Sequence, residues 1–325
     1  MDNRAEVREF LMTRRAKVTP QQAGLPEAGG RRVAGLRRSE VATLAGMSVE
    51  YYAKLERGAI AGASASVLNS LATALQLDDT EHRHLLDLAR AADGIPTSSR
   101  PRRRSGASPA PVRHTLQWML DSLTGTVAFV RDQHQNLVAA NALGRAFYLP
   151  VLGDEEGGAD RDEAADGGAR LTADLTTGRG RIPNLARFQF LDPASRDFYP
   201  EWERFAQMCV GSMRVEVGKD PHDTAMQDLV GELSTCSEDF RRLWAAHDVH
   251  THGSGTKLFR HPVVGEVTVA YEELLLSAEP GRALITYTAE PGSTSEERLR
   301  LLATWAATRR RDRADEAASV DARTD

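Results

Sequence analysis

Three groups of residues in this 325-residue chain have types and spacings that could do chemistry. The first is the string His247-Asp248-Val249-His250-Thr251-His252. On a strand, His250 and His252 would share a face and could ligate zinc. No clear third ligand at helical spacing accompanies them, so a structural or ligand-orienting histidine is the better reading, and no metal is expected. The second group is the two cysteines, Cys209 and Cys236, whose spacing fits no zinc or redox motif. They are expected to be buried thiols, and a dyad of either with His247 would rest on residue type alone. The third is a polar row, Glu50, Tyr51 and Lys54, preceded by Ser48 and by arginines at 31, 32, 37 and 38. Its chemistry would be hydrogen bonding to base edges beside neutralisation of phosphate charge. The chain has no nucleophile elbow, P-loop, dinucleotide fingerprint or H-E-x-x-H motif, so neither an enzyme nor a cofactor is expected.

The elements that would position the polar row are short helices. Residues 4–16 place Val7, Phe10 and Leu11 at helical spacing. Ser39 can cap a helix whose apolar residues Val41, Ala42, Leu44 and Ala45 lie on one side, and Gly46 can take the positive φ that ends it sharply. Ser48 can cap a second helix, 49–57, closed by Gly58. Val49, Tyr52 and Leu55 would face inward, and Glu50, Tyr51, Ala53 and Lys54 outward, on a helix short enough to enter a major groove. Glu56 and Arg57 read better as a structural clamp than as base readers. Further helices are expected over 64–75 and 80–92. Arg31, Arg32, Arg37, Arg38 and Ser39 would then lie near the start of the first motif helix, against phosphates.

Charge supports this placement. The whole chain has a net charge of −5, but residues 1–104 carry 17 basic against 12 acidic side chains, and residues 105–325 carry 24 against 34. One end alone is basic. Residues 96–113, with four prolines and a basic run, read as a linker, and the arginines at 100 and 102–104 serve either as a solvated tether or as phosphate contacts. The stretch 153–168 is acidic and glycine-rich and reads as a disordered loop. No stretch approaches the length of an apolar membrane span, and the N-terminus lacks an apolar leader, so a cytoplasmic protein is expected.

Beyond the linker, strands are expected at 126–131, 136–140, 255–261, 265–276 and 282–288, the first two forming a hairpin about Asp132-Gln133-His134-Gln135. Helices are expected at 184–191, 193–218, 222–236, 238–246 and 293–309. Two strands, a helical middle and three more strands make an α+β domain in the order of a PAS-like sheet. Aromatic residues are concentrated here. Phe129, Phe147, Phe188, Trp202, Phe205, Trp244 and Tyr271 could line a pocket, with Arg187, His247 and His250 orienting a carboxylate or carbonyl. For any single aromatic residue, core packing is the stronger expectation.

The segment GLRRSEVATLAGMSVEYYAKLERG resembles the XRE/Cro-type helix-turn-helix of the MmyB-like family. That pattern is met from Arg38 and Glu40 through Gly46, Ser48, Tyr51, Tyr52 and Leu55 to Gly58. The second half also resembles this family, through GTVAFVRDQHQNLVAAN, NLARFQFLDPASRDFYPEWE, LVGELSTCSEDFRRLWAAHDV and GTKLFRHPVVGEVTVAYEEL. The resemblance implies an all-α helix-turn-helix domain at 4–95 and a linker at 96–113. It further implies an α+β PAS-like ligand-binding domain with a five-stranded antiparallel sheet at 114–308, ahead of a disordered tail at 309–325. It implies a DNA-binding transcriptional regulator that senses a small apolar or amphipathic, fatty-acid-like ligand. A homodimer on a double-stranded operator is expected, because one short recognition helix makes few base contacts. Two readings stand beside the sensor: a dimerisation or protein-docking module with a filled core, and an enzymatic second half.

Overall fold

The structure is a computed structural model that describes residues 3–25, 33, 35–94, 111–152, 182–246 and 253–321. In chain order its elements begin with five helices, α1 (Asn3–Lys17), α2 (Arg38–Leu44), α3 (Val49–Glu56), α4 (Ala65–Ala74) and α5 (Asp79–Ala92). After α6 (His114–Ser122) come β1 (Val127–Asp132), β2 (Leu137–Ala140), α7 (Ala142–Phe147), α8 (Leu149–Leu152), α9 (Leu185–Leu191), α10 (Ala194–Phe198) and α11 (Trp202–Lys219). The chain continues with α12 (Thr224–Cys236), α13 (Glu238–Ala245), β3 (Ser254–His261), β4 (Gly265–Leu275), β5 (Arg282–Thr288) and α14 (Thr294–Asp321). None of the described helices is long and apolar enough to cross a membrane.

The chain divides into two compact units, Met1–Ser105 with Gln207–Thr251, and Gly106–Ala206 with His252–Asp325. The linear partition at 96–113 therefore differs from the fold in one respect: the described residues 207–246 pack with the N-terminal helices. Residues 96–110 of the expected linker and the acidic loop lie outside the described residues.

In the first unit the apolar stripes converge on one core. Val7, Phe10 and Leu11 of α1 meet Val41 and Ala42 of α2, Tyr52 and Leu55 of α3, Leu68 and Leu71 of α4, and Leu85 and Leu88 of α5. Val215 of α11 enters the same core. Gly46 turns the chain between α2 and α3 at φ +64°, a region that other residues enter only with strain. Gly58 closes α3 at φ +90°, where any side chain would also collide with the Arg4 carbonyl of α1. Ser48 caps α3 by accepting from Tyr51 N at 3.1 Å. Ser39, by contrast, is no cap. The cap lies two residues earlier, with Arg37 extended and its N–H donating to the Glu40 carboxylate at 2.6 Å. A carboxylate three residues ahead satisfies that orphan donor better than a hydroxyl already inside the first turn. Leu44 and Val49, expected inward, are 37% and 42% exposed, because they flank the turn and the core is already filled by Ala45, Tyr52 and Leu55.

One buried carboxylate ties three of these helices. Glu56, only 1% exposed, accepts from Arg15 Nε of α1 at 2.6 Å, from Arg38 Nε of α2, and from the hydroxyl of Tyr52 at 3.2 Å. Arg15 also donates to the Leu36 carbonyl at 2.8 Å, and Leu36 N donates to the Arg15 carbonyl at 3.0 Å, so the approach to α2 is pinned to α1.

In the second unit all strand pairs are antiparallel, in the order β2-β1-β5-β4-β3. Alternation sends Ala128, Val130, Ala139 and Leu284 to one face, under Leu116 and Leu120 of α6. Phe129, Tyr287, Tyr271, Lys257 and Phe259 go to the other, as their register requires. Polar side chains fix the turns. Asp132 accepts from the amides of His134 and Asn136, both at 2.9 Å, and Asn141 caps α7 at Gly144 N (2.7 Å) while donating to the carbonyls of Leu123 and Thr126. The helix expected over 193–218 is two helices, because Pro200 has no N–H and holds Tyr199 in an extended conformation (ψ 93°). The last helix runs to Asp321 rather than ending near Arg309 in a disordered tail. Ala, Arg, Asp and Glu dominate 309–321 and neither Gly nor Pro interrupts them. Cys236 is exposed and Cys209 half-buried, which corrects the expectation of two buried thiols; the first ends α12 and the second sits within the long α11.

Burial disfavours the charge of Glu56, but the hydrogen bonds and charges of Arg15 and Arg38 outweigh it and hold the carboxyl below its ordinary range. The ionised form is therefore the stabilising one. Its contribution is complete above the unfolded carboxyl pKa of about 4.3 and is lost as pH falls through the lower folded value. Glu56→Gln should destabilise the protein by about 2–3 kcal/mol at pH 7 in urea unfolding. The deficit should shrink toward the lowest pH at which both proteins stay folded; a deficit independent of pH would contradict the clamp.

Candidate nucleic-acid interface

The two helices α2 and α3 with their glycine corner form a helix-turn-helix whose outer row is open to solvent. Glu50 and Lys54 are exposed on α3, Tyr51 and Ala53 are half-buried, and Ser48 stands exposed at its cap. Arg37, Arg38 and Ser39 are exposed at the start of α2. The fold thus brings Arg37, Arg38, Ser39, Ser48, Glu50, Tyr51 and Lys54 onto the motif formed by two consecutive short helices. Arg31 and Arg32 lie outside the described residues.

The clamp divides labour among these residues. Arg38 spends its Nε on Glu56 yet keeps about half of its side chain in water, so it can hold the motif together and still face an anion. Arg37 has only its backbone engaged in the cap. Tyr52, the neighbour of Tyr51, points inward, and burial and the Glu56 carboxylate push its hydroxyl well above the ordinary tyrosine pKa, which keeps it neutral. Arg15, not singled out in the sequence, proves as important to α3 as any residue of the motif. Its signal was weak: an arginine among arginines on the polar side of an amphipathic helix.

The second candidate site is the aromatic face of the sheet. Phe129, Phe147, Tyr148, Phe198, Tyr199, Phe205, Phe259 and Tyr287 contact one another ring to ring, with centroids 4.4–6.3 Å apart. The hydroxyls of Tyr148 and Tyr287 hydrogen-bond at 2.8 Å, wholly buried. Of the expected lining residues, Phe129, Phe147, Phe188 and Phe205 lie in this cluster, Phe188 through edge contacts to Phe198 and Tyr199. Tyr271 joins it through Lys257, whose Nζ sits 4.1 Å from the Tyr271 ring centroid, 5.4 Å from that of Tyr287 and 5.5 Å from that of Phe205. Trp202 is set to one side, donating to the Gln189 carbonyl and Ser195 Oγ under the guanidinium of Arg196. Trp244 does not belong here; it stacks on Phe240 in the first unit. Arg187 is half-buried on α9, and His247 and His250 lie outside the described residues.

Besides Tyr148, Tyr199 and Tyr287 of this cluster, two polar residues of the face, Lys257 and His261, were missed in the sequence. Lys257 alternates with Phe259 and His261 along β3, a period-two signal that was available. His261 is buried, donates from Nε2 to the Ala146 carbonyl at 3.1 Å and accepts from Val263 N at Nδ1. Burial holds its pKa below the ordinary histidine value. A separate cavity of about 310 Å³, lined by Val217, Pro221, Met226 and Val230 among others, lies between α11 and α12.

Two family models match the chain. A family model described as the MmyB-like transcription regulator ligand binding domain matches residues 112–302, and one described as a helix-turn-helix domain matches residues 13–85. No curated protein matches the chain. The first match alone covers more than half of the sequence and the second spans the α2–α3 motif, so the chain belongs to the MmyB-like transcription regulators, with a helix-turn-helix DNA-binding domain ahead of the ligand-binding domain.

Proposed function

We propose that this protein binds a specific operator through α3 and that a small amphipathic ligand held on the aromatic face of the sheet controls that binding. The observation that carries the first part is the exposed polar row of α3, fixed in place by the Glu56 clamp. Ser48, Glu50, Tyr51 and Lys54 are positioned to meet base edges, with Leu44 and Val49 beside the turn able to contact thymine methyl groups. Arg37, Arg38 and the arginines at 31 and 32, with Ser39, serve phosphates. Two copies on a two-fold operator would place half-sites one or two helical turns apart.

The second part rests on Lys257. A cation among three aromatic rings suits a ligand with a carboxylate at one end and a hydrocarbon body, such as a fatty acid. Tyr271 and Phe205 would border the headgroup, and Phe129, Phe147 and Phe188 the apolar part. A second reading, a dimerisation or docking module with a filled core, draws support from the mutual contacts of those rings. Native mass spectrometry of freshly purified protein separates the two. A sensor carries a small-molecule adduct; bare protein that dodecanoate does not stabilise is a docking module.

Arg37→Ala should weaken binding to every duplex and lower the slope of log K against log salt by about 1. An unchanged slope would remove Arg37 from the phosphate contacts. Lys257→Gln should weaken dodecanoate binding about tenfold, the worth of one charge-assisted hydrogen bond, and leave dodecanol binding unaltered. Equal losses for acid and alcohol would show that Lys257 does not meet the carboxylate.

A further inference from the structure

Helix α1 carries buried ion pairs at both ends. Near its start Glu6, 3% exposed, accepts from Nη1 of Arg214 on α11, whose side chain is fully buried. Near its end Arg14 pairs with Glu81 of α5, and Arg15 pairs with Glu56 of α3. Glu6 and Arg15 lie about 14 Å apart along a single rigid helix.

Arg214 is itself held firmly. Its Nη2 donates to the Trp244 carbonyl of α13, and its guanidinium lies 4.2 Å from the Trp244 ring centroid. The next residue, Val215, enters the core of the N-terminal helices, and Gly218, one turn on, lies against the His84 ring of α5, where a side chain would not fit. These residues fall inside the region matched by the ligand-binding domain, yet they pack as part of the DNA-binding unit. A carboxylate as buried as Glu6 needs its partner. Without Arg214 the start of α1 must move toward water, and α1 takes Arg15 with it.

We infer that Arg214 is a positioning residue for DNA reading: by gripping Glu6 it sets α1, and α1 sets the recognition helix through the Arg15–Glu56 pair. Residues 207–246 thereby govern how selectively α3 reads. The inference rests on α3 being the reading helix, and it goes beyond that assignment by placing control of specificity in a segment outside the helix-turn-helix.

The test uses the full chain with Arg214→Met and Arg214→Lys, checked for folding by circular dichroism. Affinity is measured for a duplex picked by in vitro selection with the unmodified protein and for a scrambled duplex of the same composition. Arg214→Met should lower the selected-to-scrambled affinity ratio about tenfold, and Arg214→Lys, which keeps a cation for Glu6, about threefold. Scrambled-duplex affinity and its salt slope should stay unchanged, and amide exchange over residues 49–57 of free Arg214→Met should quicken. Equal losses on both duplexes would mark Arg214 as merely structural, and an unchanged ratio would overturn the inference. If Arg214→Met does not fold, the ratio for Arg214→Lys decides by the same rule. If the unmodified protein selects no sequence, the helix-turn-helix assignment fails instead, and amide exchange over 49–57 still decides the role of Arg214.

Discussion

A carboxylate removed from water has to find charged donors, and in this protein Glu56 finds them on two other helices. The clamp formed with Arg15, Arg38 and Tyr52 is the constraint on which the DNA-binding head depends. A two-turn helix such as α3 has little stability alone, so its geometry has to come from tertiary contacts. Tyr52 and Leu55 anchor it by burial, Gly46 and Gly58 set the entry and exit, and Glu56 fixes its rotation by engaging α1 on one side and α2 on the other. The exposed row that follows is a consequence of that fixation.

The second unit solves its problem by alternation instead. The central strands β1 and β5 send one set of side chains to α6 and the other to the aromatic face, and turn residues such as Asp132, Asn141 and Asn184 hold the register by capping backbone groups. A one-residue slip would exchange Phe129 for Ala128 and dismantle that face. Lys257 is placed there by the same parity that places Phe259, so its seat among aromatic rings comes from strand register and needs no special loop.

Much of this was legible in the residues. The cap at Ser48, the glycine corners, the apolar stripes of α1, α3 and α4, and the five strands follow from local rules of spacing and turn chemistry, and the inward Tyr52 with outward Lys54 follows from helical period. Local rules failed where a competing partner won. Arg37 with Glu40 displaced Ser39 as the helix start, Pro200 split a helix that periodicity alone would continue, and Leu44 and Val49 lost their places to residues nearer the core. What lay wholly beyond local reading is long-range pairing. Glu6 and Arg214 are separated by 208 residues, and nothing in the spacing of either announces the other. Trp244 was for the same reason assigned to the aromatic face of the sheet, whereas it stacks beneath Arg214 in the other unit.

The central claim is that α3, held by its buried carboxylate, is the element that meets DNA. Amide hydrogen exchange of the full chain, with and without a duplex obtained by in vitro selection, tests it most directly. Slowed exchange concentrated in residues 36–58 is the predicted result. Slowing that spares this segment and falls elsewhere in the chain would contradict it.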